Sequence, residues 1–197
     1  MNAPITDTLS ASGAFNPGMD EETFDQFAEQ LERYVRERLI PAESDVIEND
    51  RIPEEIVDEM RDMGLFGLSV PEEYGGAGLN MRQYARIVNI MAYAAPAFRS
   101  IFSINIGMFA SALKNGGTEA QRQEWFPKLV EGKIACFGLT EPGSGSDSAA
   151  MQTFAKPDPD GNGWILNGTK RYITNAPHAD VALIMARTEK EALPKNA

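Results

Sequence analysis

The chain has 197 residues, 43% apolar and 24% charged, with 29 acidic against 18 basic residues and a formal net charge of −11. This is the composition of a folded protein of one or two domains, with no apolar run of the roughly 18 residues a membrane span needs and no basic stripe for a phosphate backbone. One cysteine (Cys136) and one histidine (His178) exclude a disulfide framework and any metal site or mechanism built on a pair of either residue.

The first 18 residues, rich in Ala, Ser, Thr, Asn and Pro, read as a flexible tail. The first basic residue is Arg33, which argues against a signal or transit peptide and for a cytoplasmic protein. A helical region is expected over 19–133. Asp20 caps the first helix, and Phe24, Phe27, Leu31, Tyr34, Val35 and Leu39 follow helical spacing until Pro41 is expected to stop it. A second helix opens at Pro53 and ends at Gly64. Asn80 with Gln83 and Thr118 with Gln121 are capping-box pairs. The helix after Asn80 turns Tyr84, Ile87, Val88 and Met91 inward, and the one after Thr118 is expected to be short because of Pro127. Between them Phe98 to Leu113 is apolar nearly all round, hence a buried central helix, and Met60, Met63, Met81 and Met91 read as core filler.

After Gly132 the pattern changes. Ile134 to Leu139 is a continuous apolar run of strand length, with Cys136 a small core residue. Asn162-Gly163 and Asn167-Gly168 are hairpin signals, and Trp164–Leu166, Arg171–Thr174 and Val181–Met185 read as antiparallel strands. His178 falls in a surface loop between strands. Helices first and strands second imply an α+β multidomain chain, an N-terminal all-α helical bundle followed by an antiparallel β-domain over 134–197. Only 64 residues remain from Ile134 onward, so the sheet is expected to be incomplete, with an uncovered apolar face.

The loop Thr140-Glu141-Pro142-Gly143-Ser144-Gly145-Ser146-Asp147 offers backbone N–H groups and hydroxyls to something beside it. It fits neither the phosphate loop, nor the dinucleotide fingerprint, nor the nucleophile elbow. Its local chemistry favours a plain capped turn with Asp147 satisfying loop amides. Arg99 lies three, seven and ten residues from Phe102, Ile106 and Phe109, so it shares an apolar helix face and needs an anionic partner. An internal ion pair and a substrate contact both remain open. Lys128, Lys133 and Lys170 are scattered and suggest no phosphate site.

The whole run Thr140–Asp147, followed by Leu166–Asn175, resembles the acyl-CoA dehydrogenases, as do Val70–Gly76 and Ala186-Arg187-Thr188; the resemblance covers roughly residues 20 to 197. It implies a helical domain, the first part of a middle β-domain, and a C-terminal helical domain missing from these residues. The family reaction is α,β-dehydrogenation of an acyl-CoA thioester: a carboxylate takes the α-proton and the β-hydrogen leaves as hydride to FAD N5. Electrons pass on to an electron-transfer flavoprotein, and members are homotetramers or homodimers. By resemblance, Phe137, Leu139 and Thr140 line the flavin, Gly145 and Ser146 approach flavin and substrate, Tyr172 packs on the ring where many relatives have Trp, and Thr174 offers its hydroxyl near N5. The family's glutamate base lies beyond residue 197, and Glu141 is expected to be structural. The chain alone is therefore expected to be inactive. Arg99-Ser100 resembles the glutaryl-CoA dehydrogenase branch, where the pair holds a distal carboxylate. Two alternatives stand beside this reading: related flavin chemistry, as in acyl-CoA oxidases or flavin monooxygenases, and a non-catalytic half-protein acting as a binding or interaction module.

Overall fold

The computed structural model describes residues 18–161 and 163–188; the tail expected over 1–18, except for Gly18, Asn162 of the first hairpin signal, and residues 189–197 lie outside them. Seven α-helices carry the described N-terminal part: α1 Glu21–Tyr34, α2 Ile40–Asn49, α3 Glu54–Asp62, α4 Met81–Met91, α5 Pro96–Ser103, α6 Ala110–Gly116 and α7 Glu119–Val130. Two π-helical segments, Val35–Leu39 and Ile104–Phe109, fuse α1 to α2 and α5 to α6. No helix among the described residues is long and apolar enough to cross a membrane.

The predicted caps form. Asp20 accepts from Thr23 N at 3.0 Å, and both capping boxes, Asn80/Gln83 and Thr118/Gln121, are closed in both directions. Pro53 stands at the N-cap of α3, one position earlier than expected, and Gly64 follows that helix in the left-handed conformation that a glycine adopts without a Cβ penalty.

Neither proline stops its helix. Before Pro41 the chain widens, so that Ile40 N–H bonds to Val35 O, five residues back. Pro41 has no N–H to offer the carbonyls four and five residues back, on Glu37 and Arg36, and both of these residues are exposed to water, so the missing N–H costs little. Pro127 sits inside α7, which runs on to Val130 because Phe126 and Leu129 are 1% and 0% exposed against the core; the deprived carbonyl, on Gln123, belongs to an exposed residue.

The central helix is not buried all round, since Met108 is 45% exposed, and Met81 is a surface residue at 78%. Its inward face holds Phe98, Ile101, Phe102, Ile106 and Phe109. In its π-helical part Ala110 N–H bonds to Asn105 O, and the Ile106 carbonyl takes the Ser69 hydroxyl at 2.6 Å. A return from π to α geometry leaves one carbonyl without a helical donor, and Ser69 supplies it.

Four strands follow among the described residues: β1 Ala135–Gly138, β2 Phe154–Pro157, β3 Trp164–Asn167 and β4 Val181–Ile184. The β2–β3 pair is the expected antiparallel hairpin. The β4 strand, expected antiparallel, pairs parallel with β1, Ala135 opposite Val181 through Gly138 opposite Ile184. The connection from β1 to β4 contains the whole hairpin, which is ample for the crossover that parallel pairing requires. Arg171–Thr174 is not a strand: Tyr172 has φ +58°, which breaks an extended run. Nor does Asn167-Gly168 turn a hairpin. A Cβ on Gly168 would stand 2.6 Å from Thr153 Cα, so this glycine serves backbone approach. All of β3 is exposed, Trp164 at 58%, in line with the uncovered sheet face expected from the sequence.

Candidate functional site

Along β1 the side chains alternate. Cys136 and Gly138 are buried, while Phe137 and, just past the strand end, Leu139 are half-exposed on the other face; Thr140, also half-exposed, follows where the chain leaves the strand. Burial raises the Cys136 thiol pKa, which suits a small core residue and not a reactive thiolate. The chain then enters the turn at Pro142-Gly143, closed by Glu141 N to Ser144 O (2.9 Å), Ser144 N to Glu141 O (3.2 Å) and Ser144 Oγ to the Asp147 carbonyl (2.7 Å). Beyond it Gly145 and Ser146 are exposed, and nothing stands within 4 Å of where a Gly145 Cβ would be.

The segment 170–174 lies beside this strand end. Arg171 N donates to Thr140 O at 2.8 Å, and Lys170 Nζ donates to Leu139 O at 3.0 Å and to Glu141 Oε1 at 2.8 Å. Tyr172 is turned outward, 78% exposed, with the Arg171 guanidinium 4.5 Å from its ring centre. Thr174 is exposed as well. The structure thus brings Leu139 and Thr140 together with the segment bearing Tyr172 and Thr174.

Glu141 is the polar centre beneath this surface. Its carboxylate accepts from Gln152 N (2.6 Å) and Thr153 N (2.9 Å) as well as from Lys170. The Glu141 carboxylate thus takes the amides of 152 and 153, while the turn amides of Glu141 and Ser144 pair with each other's carbonyls and not with the Asp147 side chain as expected. Burial pushes its pKa up, but the Gln152 N–H, the Lys170 ammonium and the Thr153 N–H outweigh that and hold it at about 2. A carboxylate so committed is a structural group.

Arg99 and Ser100 lie on α5 and are half-buried. Arg99 was expected to be buried; it forms no ion pair with a carboxylate among the described residues. Its charge acts on the half-buried Tyr84 phenol, whose pKa burial raises and Arg99 partly restores. Ser100 and Thr174 line one cleft of about 570 Å³, together with Asp50, Arg61, Asn175 and Asp180; Arg99 does not line it. Two asparagines hold the helices to the sheet there. Asn105, 0% exposed, accepts from Ala135 N at 2.8 Å and donates to Lys133 O at 2.5 Å, while Asn175 Nδ2 reaches carbonyls of α5 and β1. Asp180 accepts from Ile134 N and Lys133 Nζ, each at 2.9 Å, which lowers its pKa. His178 is exposed, as expected. Sequence reasoning passed over Lys170, Asn105 and Asn175. The available signal was a polar residue inside or beside an apolar run, which must find partners once buried.

Residues 21–133 match the acyl-CoA dehydrogenase N-terminal domain, and residues 136–197 match the acyl-CoA dehydrogenase middle domain. The chain belongs to the acyl-CoA dehydrogenase family. It is 34% identical over 170 residues to the mitochondrial short-chain specific acyl-CoA dehydrogenase of Sus scrofa, covering 86% of this chain and 41% of that one. Among solved structures, butyryl-CoA dehydrogenase from Megasphaera elsdenii superimposes with a TM-score of 0.79 at 31% identity, covering 87% of this chain and 46% of that one. Glutaryl-CoA dehydrogenase from Mycobacterium smegmatis in complex with FADH2 gives 0.77 at 36% identity, covering 87% and 44%. The chain therefore spans under half the length of these acyl-CoA dehydrogenases, and FAD is the cofactor found among the family's structures.

Proposed function

We propose that this chain supplies the flavin seat and part of the acyl pocket of an enzyme that oxidises an acyl-CoA thioester between its α and β carbons. The observation that carries the reading is the adjacency of the strand end at Leu139 and Thr140 to the segment that bears Tyr172 and Thr174, joined by Arg171 N to Thr140 O and Lys170 Nζ to Leu139 O. Half-exposed apolar side chains, an outward aromatic ring, three hydroxyls and an open glycine turn are a donor set that fits a planar heteroaromatic ring with polar edges.

FAD, when bound, supplies the two-electron acceptor for the hydrogen leaving the β-carbon. Around it, Phe137 and Leu139 offer apolar surface, Thr140 a hydroxyl for the pyrimidine side, Tyr172 a stacking ring, and Thr174 a hydroxyl for the N5 side. Gly145 and Ser146 leave room for backbone and hydroxyl contacts to cofactor and substrate. The α-proton must go to a carboxylate, and Glu141 cannot take it with its oxygens held by two N–H groups and Lys170. We infer that no carboxylate of this candidate site is that base, and that these residues by themselves do not turn over. An electron-transfer flavoprotein as electron acceptor and a homodimer or homotetramer as the full-length assembly complete the reading.

Arg99 adds a substrate class. A half-buried guanidinium with no carboxylate partner among the described residues favours a substrate carboxylate over an internal ion pair, hence a dicarboxylyl-CoA whose distal carboxylate reaches Arg99, with Ser100, the next residue, facing the cleft beside it. The test is titration of the purified chain with FAD, followed by flavin fluorescence, and then addition of glutaryl-CoA or butyryl-CoA with an artificial electron acceptor. FAD binding without turnover is expected. Absence of FAD binding, or turnover of either thioester, would refute the respective part.

A further inference from the structure

We infer that Asn175 is a positioning residue that holds the Thr174 hydroxyl in register with Ser100 across the junction of helices and sheet. The inference rests on the reading of Thr174 as cofactor-facing and Ser100 as substrate-facing. The Asn175 side-chain amide lies 3.0 Å from Ile101 O, 3.3 Å from Ser100 O and 3.3 Å from Ala135 O. One NH2 group, with two hydrogens, is shared among three carbonyls from two elements, α5 and β1. Two of these carbonyls lie just ahead of the π-helical segment that starts at Ile104, where a changed helical register opens carbonyls to outside donors.

The backbone of Asn175 is also unusual. Its φ is +69°, a left-handed conformation that asparagine tolerates better than most residues with a Cβ. Asparagine therefore meets two demands at once, the turn and the donor. Thr174 is its immediate neighbour and Ser100 its hydrogen-bond partner, and both line the same cleft. A slip of the amide moves the Thr174 hydroxyl relative to α5 by a similar distance, and a 1 Å misplacement in a site costs up to about a hundredfold.

The backbone and amide roles separate by substitution. Asn175→Gly keeps the left-handed turn and removes the donor, while Asn175→Asp keeps the shape but sets a carboxylate against three carbonyl oxygens. Three measurements on the full chain decide. The first is hydrogen exchange over residues 96–104 and 171–178 without ligand. The second is FAD affinity by flavin fluorescence. The third is the shift of the flavin absorption band on adding glutaryl-CoA or butyryl-CoA to the FAD-loaded protein. In Asn175→Gly, exchange over 171–178 rises about tenfold, FAD affinity changes by less than about threefold, and the acyl-CoA concentration needed for the band shift rises about tenfold; Asn175→Asp goes further in the same direction. Unchanged exchange in both variants, or equal weakening of FAD and acyl-CoA, overturns the inference. Loss of cooperative unfolding in both variants identifies a purely structural role and overturns it too. If the unsubstituted protein binds no FAD, the flavin reading itself fails, and the exchange measurement still decides whether Asn175 couples the two segments.

Discussion

The Lys170 ammonium lies 2.8 Å from the Glu141 carboxylate, with only 10% and 5% of the two side chains exposed. This pair ties the segment after β3 to the turn after β1, and so decides where Tyr172 stands relative to Thr140. Each charge is costly to bury alone, and each is satisfied by the other together with backbone groups: Leu139 O for the lysine, Gln152 N and Thr153 N for the glutamate.

Removing one partner should therefore cost more than removing both. Lys170→Met is expected to destabilise by about 3 to 5 kcal/mol, and the double variant Lys170→Met with Glu141→Gln by less. Urea unfolding of the single and double variants checks this; additive losses would show that the pair is not coupled.

The same pair gives a pH dependence with a definite sign. Glu141 has its pKa lowered from 4.5 to about 2 in the folded chain. Its contribution is fully present above the unfolded value and is lost as pH falls through that window toward 2, an effect of about 3 kcal/mol. Glu141→Gln should flatten the acid limb of the stability curve between those pH values. An unchanged acid limb would contradict the assignment.

Gly138 stands where β1, β4 and Lys170 meet. A Cβ there would lie 2.7 Å from Ile184 Cδ1 and 3.3 Å from Lys170 Cγ. Gly138→Val is expected to destabilise by about 1 to 3 kcal/mol and to spread Lys170 from Leu139. Thermal unfolding reports the first effect and a loss of FAD affinity the second.

Tyr172 offers the opposite case. At 78% exposure its truncation to Ala should leave stability within about 0.5 kcal/mol. If its ring packs on the flavin, FAD affinity falls about tenfold in the same variant, since loss of an aromatic contact is worth about 1 kcal/mol or more. Unaltered FAD affinity would remove Tyr172 from the proposed seat.

Asn105 tests the junction. It is fully buried, and Asn105→Ala leaves Ala135 N and Lys133 O without their side-chain partner. A loss of about 1 to 3 kcal/mol is expected, seen as a lower urea midpoint.

Much of this protein follows from local rules. The helix starts at Asp20, Asn80 and Thr118 were legible because a cap and its partner lie within three residues, so the interaction is written in adjacent letters. The family was legible for a different reason: the motifs at 140–147 and 166–175 are contiguous. What the tertiary structure alone decided involves partners far apart in the chain. Pro41 and Pro127 stay helical because core burial and solvated carbonyls outweigh one missing hydrogen bond. The β4 strand runs parallel because its partner is β1, more than forty residues earlier, and local pattern carries no direction. Lys170, read from its neighbours as one scattered lysine, becomes a buried clasp between the two motifs because Glu141 is 29 residues away in sequence and 2.8 Å away in space. Residue type and spacing determined the helices, the strand run and the family; long-range burial, which makes an unpaired polar group costly, decided how the two motifs were brought side by side.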